Sequence, residues 1–317
     1  MILLVLVTAG AWLLLMPYGP AVETFVDIPS GSGTPRMAAL LETKGVVRSR
    51  YAFDLLRLVK GGRLRAGEYR FDHPVSAVEV YDRLARGDVY TRTVVIPEGY
   101  NIFDIARAVE AAGLGSATEF LLAERGNAGL IVDLTPGRQP ASLEGFLYPD
   151  TYRFSRHSTP AAMLAVMVKR FRQKTAGLEL GDDAIRTVTL ASIVEKEVGQ
   201  SAERPLVASV FENRLAKGMP LQTDPTVIYA ALLDGRYRGT IYASDLRADS
   251  AYNTYRHAGL PPGPIASPGL ASLRAVLHPP KTEYLYFVSD GAGQTKFSAT
   301  LGEHTAHVAE LRRQGTP

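Results

Sequence analysis

The chain has 317 residues, 46% hydrophobic and 21% charged, which is enough apolar material for two or three buried cores and too much for extended disorder. Its net charge of +3 and sequence pI near 9.0 come without a clustered lysine–arginine stripe interleaved with aromatics, so nucleic acid is not an expected partner. The absence of cysteine excludes disulfides and thiolate metal sites and leaves the redox compartment open.

Residues 2–22 are uncharged, and Glu23 is the first charged side chain. The apolar run before Pro17 falls slightly short of the ~20 residues that span hydrocarbon, and counting on to Val22 makes it adequate. A cleaved signal peptide is the main rival, but no basic region precedes the run and no clear A-x-A site follows it. A buried core helix is the other reading. Residues 1–22 are therefore expected to be a single-pass anchor in the cell inner membrane, with the remainder on the extracytoplasmic side.

Residues 23–92 read as a small α/β module: a strand over 25–28, a helix over 36–44 ending at Gly45, a strand over 66–71, and a helix over 77–86 closed by Gly87. A related pattern returns 68 residues later. Ile28-Pro29-Ser30-Gly31 matches Ile96-Pro97-Glu98-Gly99, and Leu41 to Gly45 matches Val109 to Gly113. Each copy is a strand, an I-P-x-G turn and an amphipathic helix ended by glycine. The second copy, residues 93–114, is similar to LysM modules that bind N-acetylglucosamine polymers, so 93–138 is expected to be a LysM-like unit. Packing against the next domain is its plainer role.

From 139 onward the pattern is that of a mixed helical domain. Phe146, Tyr148, Tyr152 and Phe154 alternate as on an extended segment, and a helix over 160–174 carries Met163, Leu164, Met167, Val168 and Phe171 at core spacing. Residues 182–218 read as two helices joined by a polar turn. On the first, Leu190, Ile193 and Val194 form one apolar face, and advancing 100° per residue puts Glu197 inside that stripe and Glu195 on the solvent-type side. A carboxyl among apolar side chains holds its proton to higher pH, as a general acid requires. The plainer alternatives for Glu197 are a helix-end cap or a pair with Arg186, Arg204 or Arg214.

Next, Thr223 or Asp224 stands at a helix N-cap position ahead of Pro225. The glycine- and proline-dense loop 250–269 is too long for a plain connection, and Asn253, Thr254 and Tyr255 offer donors, acceptors and a ring suited to an N-acetylated sugar. Residues 282–300 read as a hairpin turning at Asp290-Gly291-Ala292-Gly293, and a last amphipathic helix spans 303–313. Its His304 and His307, one turn apart, suit a solvated face. No HExxH-like spacing occurs, so neither metal nor cofactor is expected.

The runs EGFLYPDTY (144–152), ASIVEKE (191–197), LQTDPTVIY (221–229), AYNTY (251–255), GLPPGPIASPG (259–269) and YLYFV (284–288) together resemble the YceG-like endolytic murein transglycosylases, also called MltG, in order and over nearly the whole chain after the first 22 residues. The resemblance implies that the second glutamate of E-K-E, Glu197, is catalytic. It also implies that the substrate is the β-1,4 bond between N-acetylmuramic acid and N-acetylglucosamine within peptidoglycan strands, cut to leave 1,6-anhydro ends. Peptidoglycan synthases are partners by the same analogy. Gln222, Asp224, Asn253 and Tyr255 are candidates for positioning the glycan, with Glu195 the runner-up acid. A muramidase-type hydrolase, with Asp224 as second carboxylate, and a non-catalytic peptidoglycan-binding scaffold remain open. The expected fold is α+β: an anchor (1–22), a small α/β module (23–92), the LysM-like unit (93–138) and a mixed helical catalytic domain with a C-terminal hairpin (139–317).

Overall fold

A computed structural model describes residues 1–181, 183–289 and 295–313, with the backbone alone for 2–7. The fold is mixed α+β, with two-stranded sheets set among many helices. The chain divides into two compact units, Met1–Arg92 with Arg153–His157, and Thr93–Tyr152 with Ser158–Pro317.

In the first unit, α1 (Ile2–Leu15) is followed by β1 (Thr24–Ile28), α2 (Thr34–Thr43), α3 (Arg50–Lys60), β2 (Gly67–Phe71) and α4 (Ala77–Arg86). Strands β1 and β2 pair antiparallel, with Thr24 opposite Phe71 and Ile28 opposite Gly67. Val26, Ile28, Leu41, Phe53, Phe71 and Leu84 fill the core between that ribbon and the helices. Arg156 joins this unit through its guanidinium, which lies 3.7 Å over the Phe25 ring and donates to the buried Glu68 carboxylate. That bond holds Glu68 below the usual carboxylate range.

Helix α1 stops short of the expected anchor. It has 14 residues, about 21 Å at 1.5 Å per residue, against ~30 Å of hydrocarbon. Pro17 has no N–H to continue the helix and pushes Met16 into extended backbone, after which Tyr18 pairs with Val75. No helix among the described residues is long and apolar enough to cross a membrane. Helix α3 has no counterpart in the sequence reading. Its charged residues Arg50, Asp54, Arg57 and Lys60 keep to one side and its apolar residues form a broad face, of which Phe53 and Leu56 are buried while Tyr51, Leu55, Leu58 and Val59 are exposed.

Continuing along the chain are β3 (Arg92–Val95), α5 (Ile102–Ala111), α6 (Ala117–Gly126) and β4 (Thr151–Phe154), with β3 paired to β4. The internal repeat is visible in the backbone. Gly31 and Gly99 hold φ of 79° and 78° in the two I-P-x-G turns, and Gly45 and Gly113 both hold 68° at the ends of the following helices. A left-handed φ at these points is what restricts them to glycine. Each copy goes further than the sequence shows: β1–α2–α3–β2 and β3–α5–α6–β4 are both strand–helix–helix–strand with the outer strands paired.

The remaining elements are α7 (Pro160–Thr175), α8 (Ala184–Glu197), α9 (Arg204–Ala216), α10 (Asp224–Leu233), α11 (Ala243–Leu246), α12 (Leu270–Leu277), the antiparallel hairpin β5 (Tyr286–Ser289) and β6 (Thr295–Ser298), and α13 (Leu301–Arg313). The expected turn at residues 290–293 lies outside the described residues. Helix α8 is the centre of this unit. Its stretch Val188–Val194 is buried on every side, because α9, α10 and α12 all pack on it. The Ser192 hydroxyl, itself buried, accepts from Ile265 N at 3.0 Å and so draws the proline-rich loop onto the helix.

Under α5 lies a buried acid, Glu144. It accepts from Ile102 N (2.9 Å), Gly145 N (3.2 Å) and the Tyr229 hydroxyl, and burial pushes its pKa up to about 8. Glu124 nearby is also raised by burial. A carboxyl raised in the folded state binds its proton more tightly folded than unfolded. Its stabilising contribution is therefore full below the ordinary glutamate range and lost as pH climbs towards 8, at up to about 1.4 kcal/mol per pH unit. Denaturant unfolding between pH 5 and 8 is expected to show this decline, and Glu144→Gln to flatten it. An unchanged slope in the variant would contradict the assignment.

Candidate active site

Glu197 is the last residue of α8, and Val198 after it is already extended. The helix thus delivers one carboxyl to the edge of the core and stops. Burial raises the Glu197 pKa, with the neighbouring Asp224 charge adding to it. Arg214 and a hydrogen bond from the Thr223 hydroxyl to Oε1 act the other way. Thr223 is the N-cap of α10, yet its side chain makes no capping bond. The hydroxyl that would normally cap the helix is spent on Glu197, a local departure of the kind found at functional sites. The expected side-chain cap is therefore absent, and Asp224 is the first helical residue with Pro225 second.

A cavity of about 420 Å³ opens onto Glu197, and Gln222, Asp224, Tyr255 and Arg214 line it. Two chain segments are stitched together to make this wall. Gln222 N donates to Thr254 O (3.1 Å), Thr223 N to Thr254 Oγ1 (3.1 Å), and the Tyr255 hydroxyl to Asp224 Oδ1 (2.7 Å). Gln222 has a φ of 51°, left-handed for a residue with a side chain, and strain of this kind gathers where a side chain must be aimed.

Asn253 is not brought to the cavity. It is fully buried; its amide nitrogen donates to Asp245 O, Leu246 O and Ala248 O, and its Oδ1 accepts from Tyr255 N at 3.1 Å. It holds the loop in the shape that presents Tyr255. Glu195 differs from the solvent-facing position that helical spacing gave it. Its side chain is only 5% exposed, because Arg204 donates to Oε1 (2.7 Å) while Gly269 N and the Ser272 hydroxyl donate to Oε2 (2.9 and 2.8 Å). Glu195 caps α12 from a neighbouring helix, so the two carboxylates of E-K-E have separate duties.

Of the opposite wall, sequence reasoning weighed only Arg214, as a charge partner for Glu197. Arg214 is 8% exposed and fixed by three carbonyls, donating from Nε to Leu285 O (2.7 Å) and from Nη1 to Leu221 O (2.8 Å) and Pro220 O (3.3 Å). Of the three arginines considered as partners, Arg186 pairs with Glu212 and Arg204 with Glu195, and Arg214 acts on Glu197 only through its field. Tyr286 and His304 stack at 5.3 Å and face the same cavity, so His304 is not on a solvated face. The alternation of Tyr284 and Tyr286 in the hairpin strand was the available signal. The i, i+3 histidines carried none, because β5 packs on α13 from a hairpin distant in sequence from the catalytic helix. Among the described residues no group of histidine, aspartate and glutamate side chains could hold a metal ion.

A half-buried carboxyl whose charged form is disfavoured by burial, in a polar cavity walled by tyrosines and an arginine, is equipped for general acid chemistry on a polyhydroxyl substrate. A family model described as YceG-like matches residues 26–310. The chain belongs to the YceG-like family. It is 34% identical to an endolytic murein transglycosylase of Bacillus subtilis (strain 168), over 94% of this chain and 89% of that protein. It is 30% identical to an endolytic murein transglycosylase of Streptococcus pneumoniae (strain D39), over 90% of this chain and 58% of that protein. The crystal structure of a yceG-like protein from Listeria monocytogenes is similar with a TM-score of 0.61 and 33% identity, covering 90% of this chain and 98% of that one. In this YceG-like chain the matched region takes in both repeats and every residue of the cavity.

Proposed function

We propose that this protein is an endolytic murein transglycosylase, a lyase that cuts the β-1,4 bond between N-acetylmuramic acid and N-acetylglucosamine inside peptidoglycan strands. The observation that carries the proposal is the half-buried Glu197 carboxyl at the end of α8, its charged form disfavoured by burial, opening on a polar cavity. Glu197 gives its proton to the glycosidic oxygen as the bond to the anomeric carbon breaks. The sugar's own 6-hydroxyl oxygen then bonds that carbon and returns its proton to the Glu197 carboxylate. No water is consumed, so one carboxylate suffices where a glycoside hydrolase needs two.

The hydrolase reading has one observation in its favour, Asp224 in the same cavity. Its Oδ1 is already bound by the Tyr255 hydroxyl, which suits a positioning duty with Gln222 better than activation of water. Cutting within strands is tested by the full chain acting on long, uncrosslinked glycan strands with products sized over time. Mid-length chains ending in 1,6-anhydro sugars are expected early. Disaccharides released from one end from the start would contradict endolytic action, and strands bound but never cut would favour a scaffold.

Strand β3 with helices α5 and α6, within residues 93–138, supports a LysM-like, glycan-holding role for that unit. The uncharged first 22 residues support attachment to the cell inner membrane; catalysis on the extracytoplasmic side and peptidoglycan synthases as partners rest on the family resemblance. Fractionation of cells with and without residues 1–22 tests the attachment.

A further inference from the structure

A second cavity, about 400 Å³, lies back to back with the catalytic one. Its lining includes Lys196 and Pro225, each the immediate chain neighbour of a residue lining the first, Glu197 and Asp224. Consecutive Cα atoms are 3.8 Å apart, so the two cavities share a ridge at two separate points, the last turn of α8 and the first turn of α10. The second cavity has an apolar wall from Ile228 and Leu232, four residues apart on one face of α10, continued by the half-buried Tyr237. On its rim Arg107 is occupied by Asp104, and the exposed Lys196 ammonium, which reaches Gly99 O at 3.3 Å, has no carboxylate partner among the described residues.

We propose that this second cavity is a remote subsite for the same strand, taking a muramyl residue that bears its acidic stem peptide. It rests on the transglycosylase reading and deepens it. An enzyme that cuts in the middle of a polymer must hold chain beyond the scissile bond, and binding energy gathered there positions the bond at Glu197. The apolar wall with Tyr237 fits the face of a pyranose ring, and Lys196 supplies a cation for a stem-peptide carboxylate. In E-K-E, then, Glu195 caps α12, Lys196 grips the strand and Glu197 cuts it.

The test uses the full chain with Glu197→Gln, so that binding is measured without cutting, and two probes: uncrosslinked strands with stem peptides, and the same strands stripped by an amidase. Adding Tyr237→Ala is expected to weaken binding of both about tenfold, with Tyr237→Phe restoring it. Adding Lys196→Glu is expected to weaken binding of the peptide-bearing strands about tenfold and to leave the stripped strands within twofold. Melting temperatures within a few degrees of the parent exclude misfolding. Affinities unchanged in both variants overturn the subsite and leave the catalytic assignment standing. If the Glu197→Gln protein binds neither probe and the wild type cuts neither, the transglycosylase reading fails and the subsite with it.

Discussion

Glu197→Gln is expected to lower the rate of strand cleavage by about 10²–10⁴-fold, with strand binding retained, because general acid–base catalysis is typically worth that much. Glutamine keeps the size of the side chain and can still accept from the Thr223 hydroxyl, so the loss isolates the proton. The neighbouring substitution makes the contrast. Glu195→Gln keeps an acceptor for Gly269 and Ser272 but removes the charge that Arg204 faces at 2.7 Å, and it touches nothing in the cavity. The catalytic variant should melt like the wild type, and kinetics on purified strands check the rate. A Glu197→Gln protein within tenfold of wild type would assign the acid elsewhere.

Gly145→Ala is expected to be the most damaging single methyl group in the larger unit. Gly145 sits at φ 82°, where a residue with a Cβ is strained by about 1–2 kcal/mol. An added Cβ would lie 2.5 Å from Pro264 Cβ and 2.8 Å from Val188 Cγ1, between the proline-rich loop and α8. Neither neighbour is the end of a flexible chain, so overpacking adds about 1–3 kcal/mol. A total of about 2–5 kcal/mol corresponds to a melting temperature lowered by roughly 10 °C for a unit of this size. Thermal unfolding of the variant checks it, and a melting temperature within 2 °C of wild type would mean that the loop moves aside freely. The same contact explains why E-G-F-L-Y-P-D carries a glycine.

What could be read in advance follows the range of the interactions. Helices with capped ends and one apolar stripe, such as α4 and α7, were legible because caps and periodicity are local. Glu197 was legible for the same reason, lying in the stripe of its own helix. Glu195 was misplaced by the identical arithmetic, since Arg204 and the start of α12 bury the side that α8 alone would leave to solvent. Asn253 had suitable chemistry but is consumed by three carbonyls of α11 and the turn after it, which composition does not reveal. Tyr286 and His304 meet Glu197 only through tertiary packing of the C-terminal hairpin and α13, and Arg214 through the packing of α9 on α8. The repeat was half visible, because the I-P-x-G turn and the closing glycine recur as letters, whereas the pairing of its outer strands does not.

The most direct test is digestion of uncrosslinked strands by the full chain in ¹⁸O-enriched water, with the new ends read by mass spectrometry. If Glu197 alone manages the proton and the 6-hydroxyl closes the ring, the muramyl ends are anhydro, carry no ¹⁸O and vanish with Glu197→Gln. Reducing ends labelled with one ¹⁸O would make the enzyme a hydrolase and return Asp224 to the centre of its chemistry.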